Sequence, residues 1–362
     1  MRGLYRLGLL MTAASFGVAL GPAPALAQKP LFRLQLSGQW VEGTPLVAEE
    51  SMVFLLARDG RLWDFKPTEA KSFSQAPGGF YALSQAQLRG QLAREFGSGF
   101  EVSGVGHYLV VHPKGQKNLW APRFEELYRS FIHYFTARAF RPREPAFPLI
   151  AIVYPRQADF VRAARADGAD NLDNLLGYYS PKTNRISLFD ITAGKGGQDW
   201  TTNADTIIHE ATHQSAFNVG MHNRFGQTPQ WICEGLATMF EARGVWNNRV
   251  HHDQADRINR LQLETFRRKL DKRGPNAMAE LVSSDRLFKS DTEGAYAQAW
   301  ALSFFLSESE PRNYTQLLMK TAAVKDFTQY RAPDRLKDFT DIFGDNLELI
   351  DARMKRFLAE LK

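Results

Sequence analysis

Two hydrophobic periodicities divide the chain. From residue 31 to residue 112 the apolar positions alternate or fall in short runs. Phe32-Arg33-Leu34-Gln35-Leu36 alternates apolar and polar side chains, as a half-buried strand does. The runs 52–57 and 61–65 flank Arg58-Asp59-Gly60, and Asp-Gly between two such runs predicts a hairpin. One helix is expected within this part, over 84–96, where Leu88, Leu92 and Phe96 recur four apart. Residues 108–112 end it as a short strand. The polar, turn-rich Pro113-Lys114-Gly115-Gln116-Lys117-Asn118 then marks the expected domain boundary, giving a β-rich module over 28–112 and a second domain over 113–362.

Beyond that boundary the period lengthens. Phe124, Leu127, Tyr128, Phe131, Ile132 and Phe135 keep helical spacing. Residues 147–154 (FPLIAIVY) read as a buried strand, and 185–189 (RISLF) as a second, after the turn Ser180-Pro181-Lys182-Thr183-Asn184. From Asn203 nearly everything reads as helix: 203–219, 229–243, 253–272, 295–308, 312–320 and 346–361. The pattern predicts an α+β fold, a small mixed sheet followed by a helical C-terminal half.

Composition narrows this little. The 362 residues are 44% hydrophobic and 23% charged, with a net charge of +6 and acids spread among the bases. That is ordinary globular material, without the broad basic face expected of a nucleic-acid binder. A single cysteine, Cys233, excludes an intrachain disulfide and any CxxC metal knuckle. Residues 1–27 carry Arg2 and Arg6 before the apolar stretch 7–20, then Gly21-Pro22-Ala23-Pro24 and Ala25-Leu26-Ala27. The stretch is shorter than the roughly 20 residues that span a bilayer, and small residues stand where a signal peptidase reads. Cleavage after Ala27 and export to a bacterial periplasm or medium are expected, with no later membrane span.

The chemistry concentrates in 206–241, TIIHEATHQSAFNVGMHNRFGQTPQWICEGLATMFE. His209 and His213 lie four apart, so a helix sets both imidazoles on one face, able to share a Zn²⁺ ion, with Glu210 beside them to work on a metal-bound water. The helix context suits this: Thr202 or Asn203 offers an N-cap, and Gly220 stands where the helix would stop. Pro229 opens a second helix whose Glu234 can return as third ligand, leaving an open position for water as catalytic zinc requires.

HExxHQ followed by W-I-C-E-G-L-A-x-x-F-E resembles the gluzincin metallopeptidases. More narrowly it is similar to a bacterial family of exported, peptidase-MA-like domains of unknown function. The resemblance also takes in Gly177-Tyr178-Tyr179-Ser180-Pro181-Lys182-Thr183-Asn184-Arg185-Ile186 and Tyr296-Ala297-Gln298-Ala299-Trp300-Ala301-Leu302, and so covers about 105–310. It implies a zincin-like catalytic domain with His209, His213 and Glu234 as zinc ligands, Glu210 as base and a peptide or protein as substrate. It also implies an oxyanion donor on a later helix, for which Tyr296 is the candidate. Thr238 stands where the thermolysin pattern has an Asp, so the acid that orients a zinc-bound histidine must come from elsewhere, with Glu241 the candidate. The strand at 185–189 is the expected sheet edge for an extended peptide.

Other residues carry less. His222 competes as a third ligand, but Ala216 and Val219 replace the glycine and histidine of the metzincin pattern. His251-His252 read as solvated, Cys233 as a small buried residue, and Arg267-Arg268-Lys269 as a basic helix end. A non-catalytic envelope scaffold, or hydrolysis of a non-peptide amide or ester, fits the same residues.

Overall fold

The computed structural model describes residues 29–116, 119–169, 175–191, 200–247 and 249–362. The expected leader, 1–27, lies outside them. Within them the chain is α+β, with two five-stranded sheets followed by a helical C-terminal half. No helix among the described residues is long and apolar enough to cross a membrane.

The first sheet holds β1 (Pro30–Leu36), β2 (Gln39–Ala48), β3 (Val53–Ala57), β4 (Leu62–Phe65) and β5 (Lys71–Gly79), ordered β4-β3-β2-β1-β5 and antiparallel throughout. β3 and β4 form the expected hairpin, with Gly60 at φ +89°, a left-handed conformation that favours glycine. The hydrophobic pattern does not reveal β2 or β5. β2 carries Gly43 and Pro45, residues that read as turn, and its register shifts after Pro45. β5 is exposed along nearly its whole length, so no buried face imposes alternation on it.

The second sheet contains β6 (Phe100–Val105), β7 (Tyr108–Pro113), β8 (Leu149–Tyr154), β9 (Gly177–Ser180) and β10 (Arg185–Phe189). Its order is β6-β7-β8-β10-β9; β7, β8 and β10 run parallel, and the two edges run antiparallel to their neighbours. Two expectations change here. The sheets divide near residue 80 rather than after 112, because β6 and β7 pair onward to β8. The helix α1 (Gln85–Phe96), capped by Ser84, follows them, packing Leu88 and Leu92 on Leu109, Val111, Ile150 and Ile152. Residues 185–189 are not an edge either. β10 is hydrogen-bonded on both sides, and the edge is β9.

The remaining helices are α2 (Ala121–Thr136), α3 (Gln157–Ala166), α4 (Trp200–Asn218), α5 (Gln230–Phe240), α6 (Arg243–Trp246), α7 (Arg260–Lys269), α8 (Ala277–Ser283), α9 (Leu287–Ser290), α10 (Thr292–Ser309), α11 (Pro311–Ala322), α12 (Ala332–Phe343) and α13 (Leu347–Glu360). Side-chain alternation along the second sheet sorts them. Leu149, Ala151, Val153, Ile186 and Leu188 pack with α2 and α4, whereas Ile150, Ile152 and Phe189 pack with α1 and α3. The helix expected over 253–272 starts later, at Arg260, where the Asn259 side chain accepts from Gln262 N.

α4 has already begun at Trp200, upstream of the cap expected at 202 or 203. It stops as expected: Gly220 has φ +82°, and the N–H groups of Met221 and His222 both return to the Ala216 carbonyl at 3.0 Å. Gln214, fully buried, fastens the helix to the sheet by donating to the carbonyls of Ile150 in β8 (3.0 Å) and Asn184 after β9 (2.9 Å). Asn184 and Asn218 exchange amide hydrogen bonds at 2.9 and 2.8 Å. The first sheet is clasped to the same turn. Arg224 donates to Pro181 O (2.6 Å), Lys182 O (3.3 Å) and Gly60 O, and Leu62 N donates to Lys182 O (2.7 Å).

Gln214→Leu leaves two buried carbonyls short of a donor. We expect it to fold with an unchanged far-ultraviolet spectrum and to lose about 2 kcal/mol in urea unfolding.

Candidate metal centre

α4 carries His209, Glu210 and His213, and α5 packs against it with Glu234. Gly235 sets how near the next helix comes. A methyl group there would fall on the Ala299 carbonyl and the Ser303 hydroxyl, so glycine lets α10 close on α5 and brings Tyr296 towards the site.

The structure brings together His209, His213 and Glu234. Nε2 of His209 lies 3.1 Å from Nε2 of His213 and 3.2 Å from Oε2 of Glu234, and the third side of the triangle is 3.5 Å. Donors placed about 2.0–2.1 Å from one tetrahedral ion stand about 3.3 Å apart. Protonation states point the same way. Nδ1 of His209 donates to Oε1 of Glu241 at 2.8 Å, so in neutral His209 the Nε2 lone pair faces the Glu234 carboxylate. Two lone pairs at that distance repel unless a positive charge lies between them. Burial disfavours a charged His209, yet Glu234 and Glu241 outweigh it and hold the imidazole well above its usual range. Burial likewise opposes ionised Glu234, and His213 and His209 together hold its carboxyl well below the usual range. A proton on His209 can supply that charge, and the spacing and chemistry of the three donors fit a divalent metal as well.

Glu241 is held in turn. Asn259 donates to its Oε2 at 2.8 Å and to the Thr238 carbonyl at 2.9 Å. Thr238 bonds back to its own helix, to Glu234 O at 2.7 Å, so it takes no part in orienting His209. Nothing in the sequence pattern singled out Asn259; an asparagine capping a helix is the one signal it gives.

Glu210 stands apart from the donor triangle. It is buried, and its Oε2 accepts the main-chain N–H of Tyr179 in the edge strand β9 at 2.6 Å. Burial raises its carboxyl above the usual range, with His209 and His213 pulling the other way. The Tyr296 ring is half-buried, 6.4 Å from His209 and 5.7 Å from Phe288 between centroids. Trp300 and Phe304 stack separately in the core at 5.3 Å. Burial, and then the charge of Glu234, push the Tyr296 phenol far up, so it stays a donor.

A cavity of about 500 Å³ opens beside His213 and Glu234, walled by Tyr179, Phe217 and the Asp285–Arg335 pair. Asp285 accepts Gln230 N (3.0 Å) and Arg335 Nη1 (2.9 Å), so it caps α5 from outside the helix. Cys233 lines the same cavity, its thiol pushed well up by burial. His251 lies 4.0 Å from Asp256. The basic end of α7 is engaged: Arg267 holds the carbonyls of Leu358 and Leu361, and Lys269 pairs with Asp291 and Glu293.

His222 lies outside the triangle. It is buried edge-on to Phe217, its Nδ1 at 3.1 Å from Met221 O, and burial lowers its pKa to about 3. The unfolded chain protonates this residue near 6.5. Between those values the unfolded state binds the extra proton, so stability is lost as the pH drops, by up to about 1.4 kcal/mol per unit. His222→Gln is expected to flatten that slope in urea unfolding between about pH 6.5 and 4.5. Glu241→Gln, which keeps the shape but loses the charge behind His209, is expected to weaken binding of an added divalent metal about 10–100-fold in a chelator competition.

Comparison of the chain with curated proteins finds no match. A family model described as protein of unknown function (DUF1570) matches residues 203–328, a stretch that takes in His209, Glu210, His213, Glu234, Glu241, Asn259 and Tyr296, so the candidate centre lies within the DUF1570-like part of the chain.

Proposed function

We propose that the chain is an exported, zinc-dependent peptidase of the gluzincin type. His209, His213 and Glu234 hold the metal, Glu210 is the general base, and Tyr296 donates to the oxyanion. The observation that carries this reading is Glu210, a buried carboxylate that is no part of the donor triangle yet is fixed beside it by Tyr179 N–H. A purely structural cation site has no use for such a group. Three protein donors rather than four also favour a catalytic ion.

Zinc, when bound, makes a strong nucleophile available near neutral pH and polarises the carbonyl under attack. Glu210 takes the proton of the attacking water and passes it to the leaving amine. The Tyr296 hydroxyl donates as negative charge develops on the substrate oxygen. Glu241 keeps the His209 Nδ1–H committed, so that Nε2 remains the free donor atom. An extended peptide adds to the open side of β9, and the adjoining cavity takes one of its side chains. The signal-like pattern at 1–27 supports export, which would put this activity in the periplasm or medium.

His209→Ala is expected to lose zinc by elemental analysis. Glu210→Gln should keep about one zinc per chain while cleavage of a fluorogenic peptide library falls by about 10²–10⁴. Undiminished cleavage by Glu210→Gln would remove the residue from the mechanism. A zinc-loaded wild type that cleaves nothing in the library would favour a binding or scaffold role.

A further inference from the structure

A second cavity is larger than the one beside the metal centre. A space of about 670 Å³ lies between the first sheet, α1 and the start of β10. That volume is in the range of pockets that hold small ligands, about 300–1,000 Å³. It stands on the α1 face of the second sheet, whereas α4 and the donor triangle stand on the other.

Its walls carry Arg33, Arg58, Arg61, Arg94 and Arg185 against only Glu42, Asp59 and Glu95. All three carboxylates are already committed. Glu42 pairs with Arg58 at 2.6 Å, Glu95 takes Arg185 in two-pronged fashion at 2.6 and 3.1 Å, and Asp59 accepts Arg61 N and Gln91. Arg33 and Arg94 are exposed and have no carboxylate partner among the described residues. The Nε groups of Arg61 and Arg185 are buried without a hydrogen-bond partner. Two guanidinium groups are braced on indoles, Arg33 over Trp40 at 4.4 Å and Arg61 over Trp63 at 5.6 Å, which limits the freedom they lose on binding. A cavity so lined favours carboxylates, which match the planar guanidinium fork.

We propose that this cavity binds an acidic segment of a peptide or protein, apart from the metal centre. The anionic character follows from the lining. The choice of peptide rests on the hydrolytic reading and on position, since a single hairpin separates the two sites. Arg185 pairs across the ladder with Ser180, whose neighbours Tyr179 and Pro181 wall the cavity beside His213.

The test uses full-length Glu210→Gln protein with a chelator present, so that neither metal nor cleavage contributes. The probes are a dye-labelled octapeptide of alternating Glu and Ala, its Lys–Ala counterpart, and a labelled oligogalacturonate. We expect the Glu peptide to bind in fluorescence anisotropy, to weaken as salt is raised, and to outbind the other two. The double variant Arg33→Ala/Arg94→Ala, both exposed positions, should weaken it at least tenfold, and so should Trp63→Ala to a lesser degree. Undetectable binding of the Glu peptide, equal affinity in the double variant, or tighter binding of the oligogalacturonate would overturn the proposal. Because the readout needs no catalysis, its failure and the failure of the peptidase reading are separate results.

Discussion

Three electron-pair donors meet within 3.1–3.5 Å of one another in a site largely shielded from water, and that convergence is the constraint the surrounding structure must satisfy. Without a positive charge among them, two imidazole nitrogens and a carboxylate oxygen repel. Burial removes the water that would otherwise screen the repulsion. Glu241 shapes the demand, because by holding the Nδ1–H of His209 it turns Nε2 towards Glu234, where a proton or a metal ion must supply the positive charge. Packing therefore holds together a donor set that needs a positive charge, which a proton on His209 or a bound metal supplies.

That packing has recognisable parts. Gln214 ties α4 to β8 and to the turn after β9 through two buried hydrogen bonds. Asp285 tethers the start of α5, the helix that carries Glu234, to Arg335 in α12. Gly235 lets α10 approach α5 at the level of the site. Each acts one step away from the donors, on the elements that carry them. Misplacing α4 against α5 by about one ångström would loosen the geometry of the triangle.

The parts of this arrangement that were legible in the sequence are those written into one local period. His209 and His213 are four apart on a helix, Asp59-Gly60 sits between two apolar runs, and Leu88 and Leu92 recur on one face of α1. In each case spacing alone fixes the geometry. What the sequence concealed depends on partners far along the chain. β5 shows no alternation because neither face is covered, and β2 hides behind Gly43 and Pro45. The edge position of β9 rather than β10 follows from β8 pairing across a parallel crossover, which no local pattern records. Asn259 reaches Glu241 from another element, and Tyr179 contributes a main-chain N–H, which carries no residue signature at all.

Tyr179 also joins two demands that the proposed reaction makes of one short strand. β9 is the edge on which an extended peptide would align, and its Tyr179 N–H is spent on the carboxylate that would receive the proton. A substrate that pairs with β9 thus docks on the same strand that positions the base, and any shift of that strand moves both together. The clasp of Arg224 on Gly60, Pro181 and Lys182 extends the coupling outward, since it fixes the end of β9 against the hairpin of the first sheet. The first sheet thus reaches the short edge strand through the turn that follows it.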